Sequence, residues 1–430
     1  MKSSRIVFGG LMAVALSSAV AISAQGPGGG GRGGRGGAAA QPAPPIPPDA
    51  KPPTPFEAPG AVKGYQVPKT PWGDPDLQGI WPGIDLIGVP LSRPANLGVR
   101  NWLTEDEFKQ REANAARQLA QDNAEFDIDT ANDANTPGGT VGGPVSPPPH
   151  WLERGTPQHI AGLIIDPVDG QQPGRVGGAG GRGGGGGRRG GGAPAAAAPG
   201  AASVAQRGPA DSYTDRSLYD RCITRGIAGS FLPIIYNNGN EIVQGPGWVA
   251  LRNEMIHETR IVPLDNRPKL SDDIRSYMGD SRGHWEGNTL VVETTNFNDH
   301  TSGIQVNGGG RVSTALKVTE HITRVAPNLL VWDMTFDDPN TYVRPWTIRL
   351  PLKLDNSYIM AEYGCHEGNY AMFNILSGAR ADEKRAAEAA ARGETPAPAA
   401  TPAPAGRGGR GRGAGAPGAP AAPGANGPGR

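Results

Sequence analysis

From Phe231 to Tyr363 the chain breaks into short β-branched and aromatic runs parted by Gly, Asn, Asp and Pro. The runs are Phe231 to Tyr236, Glu241 to Gln244, Trp248 to Val262, Thr289 to Phe297, Leu316 to Val325, Leu329 to Phe336, Trp346 to Leu354 and Ile359 to Tyr363. Residues of these types pack well on a pleated, half-buried surface, and turn residues between them mark strand ends. Strands do not alternate with helices here, which argues against a parallel sheet. The expected fold is mainly β, an antiparallel barrel or sandwich. Asn237-Asn238-Gly239-Asn240 reads as a hairpin turn.

The run from Trp248 is long enough to show two faces if it is one strand. Trp248, Ala250, Arg252, Glu254, Ile256, Glu258 and Arg260 alternate with Val249, Leu251, Asn253, Met255, His257, Thr259 and Ile261. The first set, with its paired charges, is expected in solvent. The second is mostly apolar and suits a cavity wall carrying a few polar groups.

Fewer elements are legible before residue 231. Gly79-Ile80-Trp81 marks the first strand, and it resembles the Gly-x-Trp that opens lipocalin-like barrels; a buried Trp closing a sheet explains it equally well. Thr104 and Glu107 form a capping box, with Glu105 and Asp106 in the first turn, so a helix should run to about Gln121. Leu103, Phe108 and Leu119 are few anchors for its length, which makes it a surface helix. Leu163-Ile164-Ile165-Asp166-Pro167 reads as a short strand stopped by proline. These elements fit one β-rich domain over 71–380, interrupted at 173–210.

The rest of the chain has a different composition. Lys2 and Arg5 precede an apolar stretch from Ile6 to Ile22, and Ser23-Ala24 offers a small-residue cleavage point, so residues 1–24 read as an export signal. No later segment approaches the length of a transmembrane span. Residues 25–70 form a Pro- and Gly-rich leader, 173–210 a Gly-rich insert, and 381–430 an Ala-rich marginal helix with a basic tail. All have too little apolar side chain to offset the entropy of ordering, and disorder is expected.

Formal net charge is +0, yet its distribution is uneven. Residues 1–48, 173–210 and 395–430 carry Arg, with Lys2 in the first, and no acid, which leaves an acidic body with basic arms. The arms suit loose contact with that body or with an anionic envelope surface. Their Arg-Gly tracts lack an aromatic residue on which a base could stack, and the export signal also argues against nucleic acid.

Two cysteines, Cys222 and Cys365, flank the β-rich region. In an oxidising compartment they are expected to form a disulfide. The alternative is a thiolate metal ligand, because Cys365-His366-Glu367 are contiguous.

The stretch Gly279 to Phe297 concentrates reactive side chains. Asp280, Arg282, His284, Trp285 and Glu286 crowd a turn that leads into a strand, a common way to build a binding surface. Imidazole lies beside carboxylate at His257-Glu258, His284-Trp285-Glu286, Glu320-His321 and His366-Glu367, pairs that suit acid–base work or a metal ion. Adjacent residues on a strand face opposite ways, whereas His284 and Glu286 can share a face. Candidate catalytic groups are therefore His284, Glu286 and His366, and candidate metal ligands His257, His284, His366 and Glu367, although the fold requires no cofactor. Gly279-Asp280-Ser281 echoes a serine-protease context. The Ala-Ala-His-Cys box is absent and Arg282 stands where glycine would follow, so the match is set aside. His-Glu-x-x-His, a phosphate loop and Gly-x-Ser-x-Gly are also absent.

Several longer motifs are spread through the ordered part. They are Asp220-Arg-Cys-Ile-Thr-Arg-Gly, Tyr236-Asn-Asn-Gly-Asn-Glu-Ile-Val-Gln, Asn253-Glu-Met-Ile-His-Glu-Thr-Arg-Ile, the 279–297 stretch, Asp337-Asp-Pro to Arg344-Pro-Trp, and Tyr363-Gly-Cys-His-Glu-Gly-Asn-Tyr. In these, over roughly residues 71–380, the chain resembles a large family of exported bacterial proteins of unknown function. The resemblance implies export and a shared fold, and no activity or catalytic residue. Three readings follow. One is an exported β-domain binding a small-molecule or polymer ligand around 280–286, with His257 and the Cys365–Glu367 turn nearby. The second is a His/Glu enzyme, and the third a structural envelope protein.

Overall fold

Two antiparallel sheets carry the architecture of the computed structural model, which describes residues 43–124, 152–177, 211–300, 312–367 and 369–393. The four-stranded sheet has the order β1 (Gly79–Ile80), β3 (Asn240–Gly245), β4 (Trp248–Asn253), β5 (Thr259–Pro263). The six-stranded sheet has the order β2 (Ile164–Asp166), β10 (Trp346–Lys353), β9 (Leu329–Asp337), β8 (Lys317–Ala326), β7 (Thr289–Thr295), β6 (Asp280–Glu286). From β3 to β5, and again from β6 to β10, each strand pairs with its neighbour in sequence. β1 and β2 are added at the sheet edges.

Period-two alternation decides which residues meet between the sheets. Ile242, Val249, Leu251 and Val262 of the first sheet share one buried cluster with Leu290, Val292, Ile322, Trp332 and Leu350 of the second. The sheets stay open. At one end, however, the Asp355 amide after β10 donates to the Ile80 carbonyl at 2.9 Å, and the Ile80 amide donates to Asn356 Oδ1 at 3.1 Å. Trp81 is fully buried there, its indole N–H donating to the Leu77 carbonyl at 2.9 Å while the Arg324 guanidinium lies 5.6 Å from its ring centre.

Helices are few. In α1 (Glu105–Ala124) the capping box forms as expected: the Thr104 amide donates to Glu107 Oε2 at 2.8 Å and the Glu107 amide to Thr104 Oγ1 at 3.4 Å. Phe108 stacks on His159 with ring centres 3.7 Å apart. A short α2 (Gly226–Phe231) is wholly buried, and α3 (Tyr370–Ala391) is capped by Asn369.

The structure corrects several expectations. Trp248 to Val262 is not one strand but a hairpin, closed where the Asn253 amide donates to the Glu258 carbonyl at 2.8 Å. Ile256 and His257 take φ of 58° and 45° in its loop. The loop shifts the alternation, so Glu254 and Arg260 are buried while Ile261 is 57% exposed. The first face is therefore not a solvated one throughout. Phe231 to Tyr236 ends a helix and runs on without pairing, and Ile359 to Tyr363 is irregular, because tertiary contacts outweigh local β preference there. Asn237 to Asn240 turns the chain without joining two paired strands.

Part of the leader, expected to be disordered, lies against the second sheet. Ala58 packs with Val325, Ala326, Leu329 and Val331, and the Val62 amide donates to the Val325 carbonyl at 2.9 Å. At the start of the insert, the Val343 amide donates to the Gly174 carbonyl at 3.0 Å. The C-terminal helix begins at Tyr370, well before the Ala-rich stretch. The expected export signal at 1–24, the insert from 178 to 210 and the tail beyond 393 lie outside the described residues.

Candidate functional site

The stretch from Asp280 to Phe297, expected as a turn before a strand, is itself a hairpin of β6 and β7. A strand sends neighbouring side chains to opposite faces, and this divides the cluster. Asp280 accepts the Leu270 amide at 3.0 Å and pairs with Arg282, whose Nη2 donates to the Pro268 carbonyl at 3.0 Å. Both side chains thus fasten the 268–270 segment. His284 and Glu286 do share a face, with Nε2 and Oε1 3.2 Å apart, and both are exposed. Trp285 turns the other way, against the core. Ser281 Oγ lies 2.8 Å from Thr294 Oγ1 in a buried hydroxyl pair with no base beside it.

Among the described residues, no hydrogen bond or ion pair links the 280–286 cluster to His257 or to Cys365–Glu367. No group of three or more His, Cys, Asp and Glu is placed to hold a metal ion among them either. His366 and Glu367 are exposed, and His257 Nδ1 lies 3.1 Å from the Tyr363 carbonyl oxygen. Cys222 and Cys365 form a disulfide, with Cα atoms 5.7 Å apart.

That disulfide organises a different cluster. It brings Tyr219 and Arg225, each three residues from Cys222, to Tyr363, two residues before Cys365. The Tyr219 hydroxyl lies 3.1 Å from that of Tyr363 and 3.5 Å from that of Tyr236. The Tyr236 and Tyr363 rings are near parallel, 15° apart in plane, with centres 6.5 Å apart. Arg225 sits among them, its guanidinium 4.8 Å from the Tyr219 ring centre. It is 3% exposed, and its Nε and Nη2 have no hydrogen-bond partner. A buried guanidinium with two idle donors is costly, because each lost its water without gaining an acceptor.

Burial sets the electrostatics. Loss of water pulls Arg225 below its ordinary range, against the opposing pull of the three tyrosines and Glu258. It pushes the Tyr236 hydroxyl up to about 12, and Tyr219 and Tyr363 upward as well. All three hydroxyls therefore stay protonated at neutral pH and can donate.

Burial also raises the Glu258 carboxyl above its usual range, although Thr224 and Ser230 donate to it, Ser230 Oγ at 2.9 Å. Behind the site, the Tyr358 hydroxyl lies 2.7 Å from Glu153 Oε1 and 2.6 Å from Glu254 Oε2. The Gly239 and Ala361 amides also donate to Glu254, at 3.0 and 2.8 Å. These bonds fix the segment that leads to Tyr363.

Sequence reasoning singled out His257, Glu258 and the cysteine turn but gave no site role to Tyr219, Arg225, Tyr236 or Tyr363, which the structure gathers beside them. The expected disulfide was the one signal that could have found them, since it alone joins 219–225 to 363–365. No family model matches the chain, and no curated protein or solved structure matches it.

Proposed function

We propose that this is an exported ligand-binding domain, and that its site is the cluster of Tyr219, Arg225, Tyr236 and Tyr363 rather than the 280–286 hairpin. The observation that carries the reading is Arg225, 3% exposed with two unpartnered nitrogens amid three hydroxyls. Convergent polar groups on an aromatic wall are the usual make-up of a small-molecule site. The ligand is a small molecule or the end of a polymer that can accept hydrogen bonds. The disulfide fits an oxidising compartment outside the cytoplasm, and no described helix is long and apolar enough to cross a membrane. The basic arms suit an anionic envelope surface, consistent with export.

A thermal-shift screen of the full chain against sugars, carboxylates, phosphates and amines tests the reading. At least one class should raise the melting temperature of the wild type and not of Arg225→Met. No shift with any class, or the same shift in the variant, would sink it.

An acid–base role has one specific observation in its favour. Glu258, raised by burial, adjoins Arg225 and so could supply a proton to a bound group. If it does, Glu258→Gln should abolish turnover of a bound compound while leaving its affinity in place. Turnover that survives the change would leave binding as the sole activity.

A further inference from the structure

We propose that the outer face of the four-stranded sheet binds carbohydrate, with the Trp248 indole stacked on a pyranose ring and Asp265 and Arg267 holding its hydroxyls. This face shares no residue with the tyrosine cluster and is independent of what that cluster binds.

Strand register builds the surface. Val243, Ala250 and Ile261 stand side by side in one row across β3, β4 and β5, and Gly245, Trp248 and Pro263 in the next. Both rows face away from the core, because the alternate residues Ile242, Val249, Leu251 and Val262 face into it. Val243, Trp248 and Ile261 are accordingly 39%, 38% and 57% exposed. The apolar strip ends at an ion pair on either side: Arg252 with Glu241 at 2.9 Å, and Arg267 with Asp265. Two rows on three strands cover roughly 14 by 14 Å, at about 7 Å per row and 4.8 Å per strand. A stable contact with a second copy needs about 800 Å² on each partner, several times that area. A short run of sugar rings fits it.

Gly245 fixes how the tryptophan lies. A Cβ on Gly245 would stand 2.4, 2.5 and 2.6 Å from Cε2, Cζ2 and Nε1 of the Trp248 indole. The ring therefore lies over the glycine backbone, one face on the sheet and the other open to solvent. With Pro246, Ile261 and Pro263 it floors a groove of about 420 Å³, within the usual size of a small-molecule site. The negative π-face of an indole attracts the weakly positive C–H groups on one face of a pyranose.

Asp265 and Arg267 line the same groove and give it a polar end of both signs. Arg267 donates to Asp265 through Nε, at 2.8 Å, and through Nη2. The pair neutralises itself, so a charged ligand has to pull one member from the other. A neutral sugar does not. Its neighbouring hydroxyls can donate to the remaining lone pairs of Asp265 and accept from Arg267 Nη1, which makes none of the bonds to Asp265. An apolar floor with donor and acceptor together at one edge matches a molecule with an apolar face and a rim of hydroxyls.

Calorimetric titration of the full chain with cellohexaose, xylohexaose, maltohexaose, chitohexaose and glucose tests the proposal. The variants are Trp248→Ala, Trp248→Phe, Arg225→Met, and Asp265→Asn combined with Arg267→Gln, and circular dichroism melts confirm that each folds. At least one hexasaccharide should bind the wild type. Trp248→Ala should weaken it about tenfold or more, and Trp248→Phe, which keeps a ring, less than that. The Asp265–Arg267 double change should also cost about tenfold, the worth of one hydrogen bond to a charged group. Arg225→Met should leave the affinity unchanged. Weaker binding of glucose than of the hexasaccharide marks a glycan chain as the source, and equal binding a free sugar. No binding of any saccharide, or binding undiminished in Trp248→Ala, would overturn the proposal. So would a loss confined to Arg225→Met, which would move the sugar to the tyrosine cluster. Sedimentation velocity supplies the last check, since a dimer that dissociates in Trp248→Ala would give the face to a second copy instead.

Discussion

Arg260 on β5 and Glu320 on β8 meet inside the core, Nη1 and Nη2 donating to the two carboxylate oxygens at 2.7 and 2.8 Å. They are 5% and 0% exposed, and they join one sheet to the other. The Trp332 indole N–H adds a third bond to Glu320 at 3.0 Å. Removing one partner strands a charge in the core. Arg260→Met should therefore cost about 3–5 kcal/mol in denaturant unfolding. Adding Glu320→Gln removes the stranded charge, retains an acceptor for Trp332, and should recover most of the loss. A double variant no more stable than the single would show that the pair does not behave as a unit.

The disulfide closes a sequence separation of 143 residues, worth about 5 kcal/mol in the chain-entropy account. It also holds Tyr363 against Tyr219. Cys222→Ser with Cys365→Ser should lower the melting temperature and weaken ligand binding together. Thiol titration of denatured, unreduced protein should find no free thiol. Unchanged binding in the double variant would separate the disulfide from the site.

Glu258 makes stability depend on pH in a definite direction. Its folded carboxyl lies above the usual 4.5, so the native state holds that proton more tightly than the unfolded chain. The resulting stabilisation is full below the unfolded value and is lost as pH rises through the raised folded value. Glu258→Gln removes this dependence. Unfolding curves of wild type and variant should diverge as pH rises from below 4.5. Parallel curves would contradict the assignment.

Glu107 works with the opposite sign. The Arg100 guanidinium and the Thr104 amide hold its carboxyl at about 2, so its contribution is present above 4.5 and lost as pH falls through about 2. The group is partly solvated, and screening reduces its worth to about 1 kcal/mol. Glu107→Gln should cost that much at neutral pH. Hydrogen exchange should speed up in the first turn of α1, and exchange that instead rose evenly through the molecule would rule out a local cap.

The strands from Thr289 to Leu354 were legible because they sit in a meander, where alternation and turn residues report on the same local pairing. Trp248 to Val262 misled because its break is made by distant partners. Glu254 is held by Asn237, Gly239, Tyr358 and Ala361, none of which shows in a local pattern. The 279–297 stretch drew attention through the variety of its side chains, yet pleating sends them to two faces. Arg225 stood only as one letter of a longer motif, since an arginine just before a short helix looks like any solvated charge. Its meaning comes from tyrosines six, eleven and more than a hundred residues away.

Both described strands that precede residue 178 are edge strands: β1 pairs with β3 alone, and β2 with β10 alone. The two meanders, β3 to β5 and β6 to β10, are each continuous without them. A chain severed between 178 and 210 would leave one piece with every internal strand and another that supplies an edge strand to each sheet together with core residues such as Trp81 and Ile164. The two pieces should reassemble when mixed, the smaller adding as a strand on each sheet and returning Glu153 to Tyr358. In that sense the molecule is two complementary pieces written as one polypeptide, and the covalent link raises the concentration of each about the other.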